Sequence, residues 1–251
     1  MSSFLVLWDV DYTLAETPGV GRHLYHAAFA ELYGRELPEA AAEANMAGRT
    51  DRAIALDVLA MAGVPDPRGQ VSAFEAALGR LAPSAVGMVA ASGRALPGAA
   101  AALDALAGVP GVVQSLLTGN VRPVAEVKLA PLGLTSHLDL EVGAYGNEHE
   151  VRAELVRLAR HRAAAAYDAD FGGEATVLVG DTPLDIEAAL TTGARAVGVA
   201  TGQFTLAELL AANPHVALAD LTDPLGLISA VLGGASRDLD PEDELYQPRP
   251  A

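Results

Sequence analysis

Asp9 and Asp11 stand two positions apart directly after the apolar run Phe4–Trp8, so both side chains can leave a strand end on the same side. Thr118, Gly119 and Asn120 follow a second apolar run at 112–117, and Asp181 and Asp185 follow another at 175–179. Converging carboxylates repel one another. A hard divalent cation with oxygen ligands relieves that repulsion, and magnesium also engages phosphate oxygens. A carboxylate such as Asp9 can attack phosphorus if the leaving alkoxide is protonated and the incoming water deprotonated, and Asp11 is placed for both tasks. The Thr118 hydroxyl, with backbone amides near Gly119 and Asn120 at a helix start, could donate to a phosphoryl oxygen. A basic side chain would complete the neutralisation that phosphoryl transfer needs.

Two residues compete for that cationic position. Arg152 stands near the start of a helix after an expected third strand at 137–142, which is the favoured placement. Lys128 lies about two turns into the helix after Thr118, with a side chain that leans back toward the helix start. It is also the only lysine among 16 basic residues, so an ammonium is wanted there in a chain that otherwise uses arginine. Each motif alone has a structural reading: Asp9 and Asp11 as turn residues, Asn120 as a helix N-cap, Asp181 as an N-cap before Pro183. Their order, each after a core strand, favours chemistry.

The elements that must position these groups follow from the apolar pattern. Segments that read as strands, at 4–8, 112–117, 137–142, 175–179, 194–199 and 216–218, alternate with helical stretches, as in an α/β doubly wound parallel sheet. Ligands of such sheets collect at the carboxyl ends of the strands. Between the first two strands, about 16–95 reads as helical, with Leu24, Ala28 and Leu32 at helical spacing and no strand pattern. The expected organisation is a Rossmann-like core of 1–15 and 96–235, an inserted α-helical cap of 16–95, and an acidic flexible tail of 236–251.

Asp9-x-Asp11-x-Thr13, Thr118 and Gly180-Asp181-x-x-x-Asp185 together resemble the haloacid dehalogenase-like superfamily. The helical insertion and the loop Gly48-Arg49-Thr50-Asp51 resemble the cap of its phosphoglycolate-phosphatase-like members. The resemblance implies Asp9 as nucleophile, Asp11 as acid and base, and Mg2+ held by Asp9, the Asp11 backbone carbonyl and Asp181, with Asp185 in or beside that shell. Thr118, Gly119, Asn120 and Lys128 would bind phosphate, Arg152 would act as the third-motif cation, and Arg49 and Thr50 would meet substrate from the cap. The implied activity is hydrolysis of a small phosphorylated metabolite. A phosphoryl-transfer mutase, a 2-haloacid dehalogenase and a non-catalytic phospholigand-binding protein are the alternatives. Asp11 counts against dehalogenation, and the lack of a lysine in 16–95 counts against Schiff-base phosphonate hydrolysis. Tyr12 stands where these phosphatases commonly have glycine.

Composition excludes other classes. With 32 acidic against 16 basic residues the formal charge is −16, which opposes binding to nucleic acid. No apolar run approaches the roughly 18 residues that cross a bilayer, and the N-terminus lacks the pattern of a secretory signal. The absence of cysteine fits a cytoplasmic protein. A monomer or homodimer is expected.

Overall fold

The computed structural model describes residues 3–233; the tail expected at 236–251 lies outside them. Strand β1 (Phe4–Trp8) is followed by β2 (Ala15–Glu16) and then by helices α1 (Val20–Tyr33), α2 (Glu39–Ala42), α3 (Asp51–Met61), α4 (Pro67–Leu81) and α5 (Val86–Ser92). Strand β3 (Arg94–Ala95) closes that insertion. The chain continues as α6 (Ala99–Ala107), β4 (Val112–Leu116), α7 (Arg122–Leu129), α8 (Arg152–Tyr167) and β5 (Thr176–Gly180). It ends with α9 (Pro183–Thr191), β6 (Arg195–Val199), α10 (Leu206–Ala211), β7 (Val216–Leu218) and α11 (Pro224–Leu232).

Five strands form one parallel sheet in the order β4-β1-β5-β6-β7. Because β1 lies inside the sheet, between β4 and β5, both of its faces need cover, and its sequence is apolar at every position. Val6 and Trp8 pack among Leu103 and Leu106 of α6 and Val231 of α11, whereas Leu5 and Leu7 pack among Leu155 and Ala159 of α8 and Ile186 of α9. Trp8 is fully buried and its indole N–H donates to Gln114 at 3.1 Å, which lets a polar ring sit inside the sheet.

Two expectations are corrected. Residues 137–142 do not form a strand, and that edge carries only an isolated bridge between Leu117 and Ala144. Asp139 uses its carboxylate to accept the Glu141 N–H at 3.0 Å, a local bond that competes with a ladder. The insertion at 16–95 is also not free of strand: β2 and β3 pair antiparallel at its two ends, Ala15 opposite Ala95 and Glu16 opposite Arg94. They tie its entry to its exit.

The insertion's helices gather their own apolar cluster around Leu24, Phe29, Leu59, Phe74 and Val89, and Val121, just before α7, and Val124 within it join that cluster. Helix α7 therefore carries apolar contacts to the cap as well as to the sheet. The α9 start is set by sequence: Thr182 and Asp185 form a capping box with Pro183 in the first turn.

Candidate active site

The carboxyl ends of β1, β4 and β5 lie side by side, which brings Asp9, Thr118 and Asp181 to one place. The Asp9 N–H donates to the Val179 carbonyl at 2.9 Å, fixing the β1 exit against β5. Carboxylate oxygens of Asp9, Asp181 and Asp185 lie within 4.8 Å of one another, and all three residues are buried. Arg152, at the start of α8, reaches into this cluster, 2.7 Å from Asp9 and 2.6 Å from Asp185. Burial, together with the neighbouring carboxylates, pushes Asp9 and Asp181 well above the usual carboxylate range; Arg152 opposes the shift at both. For Arg152 itself burial disfavours the charge, but Asp185 and Asp9 outweigh it and hold the guanidinium protonated.

Full ionisation of the three carboxylates would leave two negative charges against one guanidinium in a buried space, which is why Asp9 and Asp181 are pushed toward their protonated forms. Arg152 Nε finds no hydrogen-bond partner there, and Asp185 Oδ1 meets only the Arg152 guanidinium at 2.6 Å. An all-oxygen site, doubly negative when ionised and incompletely satisfied, fits a hard divalent cation.

Lys128 forms a second centre beside the first. Its ammonium is 2.7 and 2.6 Å from the two Asp11 carboxylate oxygens and 2.8 Å from Asn120 Oδ1. The Asn120 amide donates to Asp11 at 2.8 Å and to the Thr118 hydroxyl at 2.8 Å. The Asp11 carboxylate therefore faces Lys128 and Asn120, while the Asp9 carboxylate faces Arg152. Both candidate cations are present, each on a different aspartate. Neither Asn120 nor Asp181 is a helix cap: α7 is preceded by Val121 and α9 by Thr182.

Tyr12 adopts φ 58°, a left-handed conformation that costs a residue with a Cβ about 1–2 kcal/mol. That conformation accounts for glycine being common at this position. Thr201 donates to the Tyr12 carbonyl at 2.5 Å and Tyr12 donates to Ala15 at 2.8 Å, holding the turn. The ring stays 46% exposed, so it does not crowd the aspartates.

A cavity of about 490 Å³ lies over these groups, lined by Asp9, Asp11, Thr118, Asn120, Lys128, Arg152 and Asp181 below and by Thr17, Arg22, Tyr25, Asn45 and Met46 above. Arg49 also lines it, yet its guanidinium is paired with Asp57 at 2.6 Å and donates to the Asn45 carbonyl at 3.1 Å. Thr50 is not among the lining residues; it caps α3 through Ala53 and donates to the Glu150 carbonyl at 3.1 Å. Asp51, one residue on, holds the cap to the core. Its carboxylate accepts from the Val121 N–H at 2.7 Å and from the Tyr25 hydroxyl at 2.9 Å, and its N–H donates to the Gly119 carbonyl at 2.6 Å. Arg52 N–H donates to Gly146 at 3.0 Å. A Cβ on Gly119 would collide with the Arg49 carbonyl, and one on Gly146 with the Gly119 carbonyl, so three backbones stack without side chains between them. In the sequence Asp51 stands out only as the end of the loop Gly48-Arg49-Thr50-Asp51, and Gly146 belongs to none of the motifs.

A model of the haloacid dehalogenase-like hydrolases matches residues 6–190, a span that includes Asp9, Asp11, Thr118, Arg152, Asp181 and Asp185. The chain belongs to that family. Within it, the chain is 30% identical over 232 residues to the probable phosphatase IndB of Dickeya dadantii (strain 3937), covering 91% of this chain and 94% of the relative. Among solved structures, a hydrolase from Pseudomonas syringae matches with a TM-score of 0.61 at 19% identity, over 90% of this chain and 98% of that one. A predicted phosphoglycolate phosphatase from Haemophilus somnus 129pt matches with a TM-score of 0.62 at 15% identity, over 91% and 99%. At such identities the structural likeness shows the fold. Family membership makes the chain a hydrolase on an α/β scaffold. Among the described residues no helix is long and apolar enough to cross a membrane.

Proposed function

We propose that this hydrolase is a Mg2+-dependent phosphatase that removes phosphate from a small phosphorylated metabolite through an aspartyl-phosphate on Asp9. The observation that carries the reading is the pairing of two differently held aspartates at one strand exit, Asp9 beside Arg152 and Asp11 beside Lys128. The name of the Dickeya relative supports phosphate ester chemistry.

Magnesium, held by the Asp9 and Asp181 carboxylates and the Asp11 backbone carbonyl with Asp185 alongside, would neutralise charge and orient the phosphoryl group. Asp9 attacks phosphorus, and the ester oxygen leaves with a proton from Asp11. Asp11 then takes a proton from water, the resulting hydroxide attacks phosphorus, and the Asp9–phosphorus bond breaks to release inorganic phosphate. Thr118 and the Gly119 and Asn120 amides donate to the phosphoryl oxygens, and Arg152 offsets negative charge beside the nucleophile. Lys128 and Asn120 hold the Asp11 carboxylate toward the cavity. The cap limits water to what the cavity admits, which favours small esters.

The test is release of phosphate from p-nitrophenyl phosphate with and without Mg2+, in the native chain and in Asp9→Asn. Metal-dependent release that disappears in the variant is expected. Turnover retained by Asp9→Asn would sink the nucleophile assignment, and halide release from 2-chloropropionate without metal would favour the dehalogenase instead.

A further inference from the structure

The first turn of α1 opens on the same cavity as the carboxylates, and the reaction above leaves it unused. Gly19 and Gly21 line the cavity there, and nothing lies within 4 Å of where a Cβ on Gly21 would project. The helix start is thereby presented as bare backbone. The N–H groups of Gly21 and Arg22, two of the donors that any helix start leaves over, find no backbone acceptor. No acid occupies that turn, although the chain has 32 acidic residues against 16 basic ones.

Two side chains add independent observations. Thr17 lines the cavity, is 8% exposed, and its hydroxyl has no hydrogen-bond partner. A buried hydroxyl in that state is normally satisfied by a ligand or water. Arg22 lines the cavity as well. The other cations there are engaged: Lys128 by Asp11, Arg152 by Asp9 and Asp185, Arg49 by Asp57. Arg22 alone among them makes no ion pair or side-chain hydrogen bond within the described residues. A helix start, a spare hydroxyl and a spare guanidinium on one wall are the components of an anion site.

We propose that this wall is a second anion subsite, and that the substrate carries a second anionic oxygen group, a carboxylate or a further phosphate, remote from the scissile ester. The inference rests on the phosphatase reading of the opposite wall. The cavity, about 490 Å³, is of the size that holds a small two-ended metabolite. Substrate bound in this way would bridge cap and core, because α1 belongs to the insertion and Asp9 to the sheet.

The experiment compares kcat/KM of the full chain with Mg2+ on matched pairs: 3-phosphoglycerate against glycerol 3-phosphate for a carboxylate, and fructose 1,6-bisphosphate against fructose 6-phosphate for a second phosphate. Preference for the more anionic member of at least one pair by roughly tenfold or more is expected. Which pair responds identifies the group. Arg22→Gln should collapse the preference, mainly through KM, and Arg22→Lys should restore part of it. Equal rates within both pairs, or an Arg22→Gln loss that is the same for both members, would overturn the subsite. Calorimetric titration of the same compounds into the Asp9→Asn chain reads the preference without turnover. A preference seen there, with no phosphate released from any ester including p-nitrophenyl phosphate, would keep the subsite and remove the phosphatase reading. Its absence in both assays would remove the subsite.

Discussion

Asp51→Asn should stabilise this protein at alkaline pH, although it removes a buried charge that accepts two hydrogen bonds. Burial pushes the Asp51 carboxyl up from 3.8 to about 6, against the pull of the Val121 N–H, the Tyr25 hydroxyl and Lys128. A group whose pKa is raised on folding contributes stability that is complete below the unfolded value and is lost as pH rises through the folded one. From 3.8 to about 6, the loss amounts to about 3 kcal/mol at most, with about 1.5 kcal/mol of it falling between pH 5 and pH 8. The asparagine keeps the contacts: its oxygen accepts from Val121, its amide donates to the Tyr25 oxygen, and the Tyr25 hydroxyl turns to the Asp51 backbone carbonyl, now 3.3 Å away. Urea denaturation of both proteins in EDTA at pH 5 and pH 8 measures the difference. The variant should gain on the native chain by about 1.5 kcal/mol over that interval, the shifts of Asp9 and Asp181 being common to both. A difference independent of pH would refute the reasoning, and so would a growing advantage of the native chain at pH 8.

Asp51→Ala, which strands the Val121 N–H while the Tyr25 hydroxyl keeps the residue 51 backbone carbonyl, should cost about 1–3 kcal/mol in the same denaturation series. Lys128→Met should lower kcat by roughly 10- to 100-fold with a much smaller change in KM, since the ammonium holds Asp11 rather than substrate; unchanged kcat would rule that role out. Gly119→Ala drives a Cβ into the Arg49 carbonyl, so activity should fall about 100-fold while far-ultraviolet circular dichroism stays native, and full activity would show that the loops do not stack as described. Mg2+ should raise Tm more at pH 8 than at pH 6: burial and mutual repulsion favour protonated Asp9 and Asp181, whose contribution to stability is lost as pH rises and which are then free to bind the cation. An equal shift at both values would contradict the carboxylate cluster as the binding site.

Most of the scaffold was legible because it is written in local pattern. A strand buried on both faces needs an unbroken apolar run, and Phe4–Trp8 and the run before Asp181 are of that kind. The segment 137–142 alternates polar and apolar residues as a half-buried edge strand would, yet it touches β4 only through Asp139, and the Asp139 carboxylate takes the Glu141 N–H that a ladder would need. The two-residue strands β2 and β3 are too short to leave a pattern at all. The candidate catalytic acids were legible because each follows a strand. Their counter-ions were only half so, because Lys128 and Asp11 are 117 positions apart, and only the rarity of lysine drew notice to one of them. The clasp from Asp51 to Val121 spans 70 positions, and a sequence read linearly carries no measure of that distance.

The peptide at Gly119 faces two ways. Its carbonyl receives the cap through Asp51, while its residue borders the cavity beside Thr118. Lid and anion grip are thus mechanically one joint. Loosening either disturbs the other, so escape of the released phosphate and reopening of the cap are expected to share a single barrier, and solvent viscosity that slows one should slow turnover as a whole.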